Sequence, residues 1–119
     1  MVRIMKTARL HVLLMPLLAL VVTMKAAWAD DPFVVELVAK DGRFQPAKLI
    51  VPSARKIKIV IRNEGNGPME FESLDLHKEK VLTAGARSFV IIAPLRPGSY
   101  EFVDEFHPDT GRGQIIVRP

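Results

Sequence analysis

The chain has 119 residues, with 17 Lys and Arg against 13 Asp and Glu, three His and no cysteine. The lack of thiols excludes disulfide frameworks, thiolate metal sites and cysteine nucleophiles together. The positive surplus sits in the first 29 residues, which hold four of the 17 cations (Arg3, Lys6, Arg9, Lys25) and no acid; residues 30–119 therefore carry 13 of each sign, and the basic footprint of a nucleic-acid binder is missing.

That opening segment reads as an export signal. A basic start is followed by the apolar run Val12 to Val22 and by Ala27-Trp28-Ala29, a small-x-small cleavage motif, before Asp30. The run has 11 residues and contains Pro16, whereas a membrane-spanning helix needs roughly 20 apolar residues. The sequence thus predicts a signal peptide over 1–29 and one soluble periplasmic domain over 30–119. A domain of that length buries roughly 60% of its unfolded surface. Without disulfides its stability must come from packing and from any metal that binds the folded state.

Residues 30–119 have the period of strands. Phe33 to Lys40 is a mostly apolar first strand, and Lys48 to Pro52 a short second one. Arg55 to Arg62 alternates, with Ile57, Ile59 and Ile61 on one side and Lys56, Lys58 and Arg62 on the other, the pattern of a half-buried strand. Asn63-Glu-Gly-Asn-Gly-Pro68 is a dense turn signal. Met69 to Leu74, Lys78 to Leu82, Ser88 to Ala93, Gly98 to Asp104 and Gly113 to Arg118 follow as further strands. About eight short strands between Gly and Pro turns predict an all-β antiparallel Greek-key sandwich or small barrel.

The closing stretch, Tyr100-Glu-Phe-Val-Asp104-Glu-Phe-His107-Pro-Asp-Thr-Gly111-Arg112-Gly-Gln-Ile-Ile-Val117, resembles the last two strands and ligand loop of the cupredoxins. In that alignment Asp104 stands at the family cysteine, His107 at the family histidine and Arg112 at the axial methionine. Phe44-Gln-Pro46, Leu49-Ile-Val-Pro52, Ile57 to Asn63 and Leu95-Arg-Pro97-Gly98-Ser-Tyr100 are similar to earlier signatures in the same order. The first cupredoxin histidine would fall on Met69. Pro68-Met69-Glu70-Phe71-Glu72 is further similar to cupredoxin-like domains of bacterial iron-uptake systems, the EfeO type and the small periplasmic subunit of FtrABCD-type transporters. What the resemblance implies is a cupredoxin-like fold, iron (Fe2+/Fe3+) or copper as the bound metal, and a membrane iron permease with other periplasmic uptake subunits as partners.

If the loops lie as in cupredoxins, Met69, Glu70 and Glu72 approach Asp104, Glu105 and His107 at one pole. Carboxylates with an imidazole form a hard set suited to Fe(II), Fe(III), Mn(II) or Cu(II), while the Met69 thioether leans toward Cu(I). A blue-copper centre requires a thiolate and is excluded. Each residue also has a plain structural reading. Glu70 and Glu72 share a strand face that can simply be solvated; Asp104 and Glu105 can cap a turn; His107 can be an exposed loop histidine, and Met69 can be packing. Arg112 cannot bind a cation and would pair with Asp104, Asp109 or a partner's acid.

Hydrolase and transferase motifs are missing: there is no Gly-x-Ser-x-Gly elbow and no phosphate loop. Three readings remain: an iron-handling periplasmic protein that binds or oxidises Fe(II) for a permease, a type 2 copper chaperone, and a metal-free binding module. Cleavage after Ala29 is expected, so the intact mass of the exported protein should begin at Asp30; a membrane-retained product still carrying Met1 would contradict the soluble periplasmic reading.

Overall fold

The computed structural model describes residues 2–5, 7–9, 11 and 31–119; the apolar run and the Ala27-Trp28-Ala29 motif of the expected signal peptide lie outside them. Among the described residues no helix is long and apolar enough to cross a membrane.

Nine strands follow in chain order: β1 (Phe33–Lys40), β2 (Arg43–Gln45), β3 (Lys48–Pro52), β4 (Ile57–Asn63), β5 (Met69–Ser73), β6 (Lys78–Leu82), β7 (Arg87–Ile92), β8 (Gly98–Asp104) and β9 (Arg112–Arg118). They form a four-stranded sheet in the order β2-β1-β4-β7 and a five-stranded sheet in the order β3-β9-β8-β5-β6. The expected period-two alternation sets which side is inside. Ile57, Ile59 and Ile61 are fully buried, while Arg62 is exposed and Lys58 half-buried. Each such isoleucine contributes about 1.5–3 kcal/mol by leaving water. Phe44 and Phe102 meet edge to face at 5.0 Å and Phe71 lies 5.1 Å from Phe102, so one aromatic cluster joins the two sheets.

Two features depart from the sequence expectation. The ninth strand is β2, three residues long and paired to β1 through a turn in which Asp41 and Gly42 both have positive φ; so short a segment has no readable period. The pairing is also mixed, because β1 runs parallel to β4 and β3 parallel to β9. Alternation reports which side of a strand is buried and is silent about the direction of its neighbour.

Where β8 passes β9, Phe102 is the partner of Gly113. A Cβ at Gly113 would overlap Phe102 Cζ and stand 2.9 Å from the Ala47 carbonyl oxygen. Gly113→Ala is therefore expected to destabilise the domain by about 1–3 kcal/mol as overpacking does, read as a lower denaturant midpoint; an unchanged midpoint would mean that Phe102 is free to move.

Candidate metal centre

The loop between β8 and β9 is built on one buried carboxylate. Asp104 ends β8 with its side chain only 3% exposed. Its Oδ1 accepts hydrogen bonds from the backbone N–H of Glu70 at 3.0 Å and of Phe106 at 3.1 Å. Its Oδ2 lies 2.8 Å from His107 Nδ1. A carboxylate only accepts, so in the neutral imidazole the proton stands on Nδ1 and the lone pair on Nε2. Backbone bonds close the same turn: His107 N–H to the Asp104 oxygen at 2.9 Å, Gly111 N–H to the His107 oxygen at 2.8 Å, and Asp104 N–H to the Gly111 oxygen at 2.7 Å.

A second anchor stands opposite. Asn63, at the end of β4, is buried; its amide nitrogen donates to the carbonyls of Gly67, Leu82 and Thr83 at 2.8–3.1 Å, and its Oδ1 accepts from Gly65 N–H at 3.0 Å. This Asx turn fixes the glycine-rich loop leading to Met69. The two loops and the β1–β2 turn enclose a cleft of about 330 Å³ whose walls include Asp41, Asn63, Gly65, Met69, Asp104 and His107. Gly42 lies against the imidazole, since a Cβ there would be 3.1 Å from His107 Cδ2. Thr110 Oγ1 ties the loop to that turn by donating to the Gly42 oxygen at 2.6 Å.

The six residues expected at one pole divide into two groups. Met69, Asp104 and His107 line the cleft. Glu70 and Glu72 point the other way, because Met69, Phe71 and Ser73 take the inner side of β5. They stand on the outer side of the five-stranded sheet, where Glu79, opposite Glu72 on β6, joins them; one carboxylate oxygen from each of Glu70, Glu72 and Glu79 falls within 4.8 Å of the others. Glu105 is exposed and belongs with this outer group, for its hydrogen bond to Glu72 is the largest cause of a raised Glu72 pKa, followed by desolvation and the charges of Glu105, Glu70 and Glu79. Glu79 escaped the sequence reading because only the β5–β6 register brings it there. Asn63 was read as a turn residue, and its side-chain clamp follows from the Asn-x-Gly spacing of an Asx turn.

Arg112 is not in an axial position. Gly113, Ile115 and Val117 form the inner set of β9, and the same period runs back to Gly111. Arg112 is exposed on the outer side, beside Glu101 and Gln114. At Gly111 a Cβ would stand 2.6 Å from Asp104 Cβ and 2.9 Å from the His107 carbonyl oxygen, so the backbone there packs directly against the Asp104 side chain and leaves no room for another. His77 is exposed in the β5–β6 turn with φ 53° and is not among the residues that line the cleft.

The profile of the cupredoxin-like domain matches residues 12–117. The chain belongs to the cupredoxin-like domain family. This cupredoxin-like chain is 42% identical over 88 residues to the uncharacterized protein RP394 of Rickettsia prowazekii (strain Madrid E), a match covering 74% of this chain and 70% of the other. Among solved structures it is similar to auracyanin A, a "blue" copper protein of Chloroflexus aurantiacus, with a TM-score of 0.64 and 11% identity over 74% of this chain and 100% of that one. The metal-binding domain of the Streptococcus pneumoniae D39 Cu(I)-exporting P-type ATPase CopA gives 0.62 at 15% identity, covering 72% and 85%. At such identities the likeness is one of fold.

The donor set of the cupredoxin-like pole decides what it can hold. A blue-copper ion does not fit, since the chain has no thiolate. Asp104 is no orphan awaiting a cation, because both its oxygens are answered within the protein. What remains is an imidazole Nε2 whose partner nitrogen is held by a carboxylate, as is common for metal-binding histidines, and Met69, which reaches the wall of the same cleft from the core, where it is 2% exposed. Imidazole and thioether fit copper.

The outer carboxylates yield a pH test. The hydrogen bond with Glu105, then desolvation and the neighbouring carboxylate charges, raise the Glu72 pKa, so the folded chain holds a proton there more readily than the unfolded one; stability is greater below the raised pKa and falls as pH rises through it. Glu72→Gln should raise the melting temperature at neutral pH, and the gain should vanish in acid where Glu72 is already protonated. An equal gain at both pH values would remove Glu72 ionisation as its cause.

Proposed function

We propose that the chain is an exported, periplasmic cupredoxin-like metal-binding protein that holds copper at the cleft between the 63–69 and 104–111 segments and acts as a carrier. The observation behind this reading is the 2.8 Å pair of Asp104 with His107 Nδ1, which leaves Nε2 as a fixed donor. His107 would be the principal ligand, Met69 a second donor favouring Cu(I), and Asp104 the residue that orients the imidazole. A site with few protein donors leaves positions for a partner's ligands, as transfer of a metal requires. Copper in the printed descriptions of the auracyanin and of the CopA domain supports the choice of metal by analogy of fold.

A second reading keeps iron. The carboxylates of Glu70, Glu72 and Glu79 lie within 4.8 Å of one another with Glu105 adjacent, and such hard oxygen donors suit Fe(II) and Fe(III). In that reading the chain is an EfeO-type or FtrABCD-type subunit that binds or oxidises ferrous iron for a membrane iron permease. The two readings use different residues on different sides of one sheet.

Calorimetric titration of the exported protein separates them. His107→Ala is expected to lower copper affinity by about 10–100-fold or more, and Asp104→Asn by about 10–100-fold through loss of imidazole orientation; Glu70→Gln and His77→Ala should leave it unchanged. Copper-loaded protein should be pale, with no thiolate charge-transfer band. Equal copper affinity in parent and His107→Ala would sink the proposal, and anaerobic Fe(II) binding lost in Glu72→Gln would favour the iron reading.

A further inference from the structure

The outer side of the four-stranded sheet carries a pattern unrelated to the pole. Its register sets three rows across β1, β4 and β7: Val34, Lys58, Ile91; then Glu36, Val60, Phe89; then Val38, Arg62, Arg87. The last row continues to Gln45 on β2, and Lys40 and Arg43, paired between β1 and β2, form a further row beyond it. Val34 is 54% exposed, Phe89 50% and Ile91 36%, large values for neighbouring apolar side chains on a regular sheet. Two acids stand beside these cations: Glu36 lies 3.8 Å from Arg87, and Glu64, just past β4, lies 3.7 Å from Arg62, with all four groups open to solvent. Lys58 Nζ stands 4.4 Å over the Phe89 ring, so an ammonium and an aromatic project as one unit.

We propose that this side docks on an anionic lipid surface. Interleaving of cations with apolar side chains favours lipid over an acidic protein. A protein interface buries a core depleted of charge, and Lys58 and Arg62 stand on β4, an interior strand of the sheet, beside Val60. Against a lipid surface their aliphatic stems lie among acyl chains while their heads reach phosphates. A second copy stacked on the same side would oppose five cations, Lys40, Arg43, Lys58, Arg62 and Arg87, with another five. The opposite broad side carries five acids, Glu70, Glu72, Glu79, Glu101 and Glu105, against three cations, Lys48, Arg112 and Arg118, so the field that draws one side to the surface does not draw the other. Each cation near such a surface is worth about 1 kcal/mol, or about fivefold in partition, and the apolar side chains add to this in proportion to the area they bury.

The inference is independent of which metal the chain holds, and vesicle sedimentation tests it. Exported protein is mixed with vesicles of phosphatidylcholine alone, or of phosphatidylcholine and phosphatidylglycerol in equal parts. Partition into the phosphatidylglycerol vesicles only is expected, with release at about 1 M salt, where the screening length is roughly 3 Å. The double variant Lys58→Gln, Arg62→Gln should lower partition about 25-fold, and Phe89→Ser by about tenfold. Glu72→Gln on the opposite side should not lower it. No partition into anionic vesicles at low salt would overturn the proposal. So would equal partition of parent and double variant, which would place any binding elsewhere on the chain, and so would self-association that is lost with Phe89→Ser.

Discussion

A carboxylate taken out of water must be met by donors, and at Asp104 three arrive from three places: the first strand residues after the glycine-rich loop, the turn that follows β8, and the imidazole of His107. Hydrogen bonds to a charged group contribute about 1.5–3 kcal/mol each, while leaving a buried charge without its partner costs about 3–5 kcal/mol. The pole is therefore coupled. β5 is held to β8 through the Glu70 N–H, the β8–β9 turn is held through Phe106, and the orientation of His107 depends on the oxygen that remains.

The strands deliver these groups for reasons that start in the core. Phe71 and Asp104 are register partners on β5 and β8, so the inward alternation that buries Phe71 also turns Asp104 inward at the end of the same sheet. Gly111 lets backbone close over the carboxylate. Asn63 does for the facing loop what Asp104 does for this one, with its amide satisfying carbonyls of two separate segments. Replacing a thiolate with a carboxylate in this setting changes the role of the position. The short, hydrogen-bonded Asp104 side chain fixes a neighbouring ligand, and the exposed face of the imidazole is what the solvent meets.

Much of this was legible in the chain. The alternation at Ile57, Ile59 and Ile61, the dense turn from Asn63 to Pro68 and the ordered series of cupredoxin signatures carry the all-β architecture and bring the 63–69 and 104–111 segments to one end. The site was legible only in part. The resemblance puts Glu70 and Glu72 at the pole with Met69, yet period two places alternate residues of β5 on opposite sides, and that rule outranks closeness in sequence. The cupredoxin resemblance puts Arg112 at the axial methionine, whereas the inward set of β9 is fixed by Gly113 and Ile115 and reaches Gly111. Glu79 enters through pairing, which no single strand encodes. Parallel pairing of β1 with β4 was hidden for the same reason.

Asp104 as the orienting partner of His107 is the centre of this account, and nitrogen NMR of the imidazole tests it most directly. At a pH where the ring is neutral, the account predicts that His107 is held as the Nδ1–H tautomer, with a proton-free Nε2 whose resonance shifts when copper is added. In Asp104→Asn the amide oxygen stays with the two backbone N–H groups and the amide nitrogen donates to Nδ1, so the ring should move toward the Nε2–H tautomer. A parent protein in which His107 is already a mixture, or carries its proton on Nε2, would contradict it.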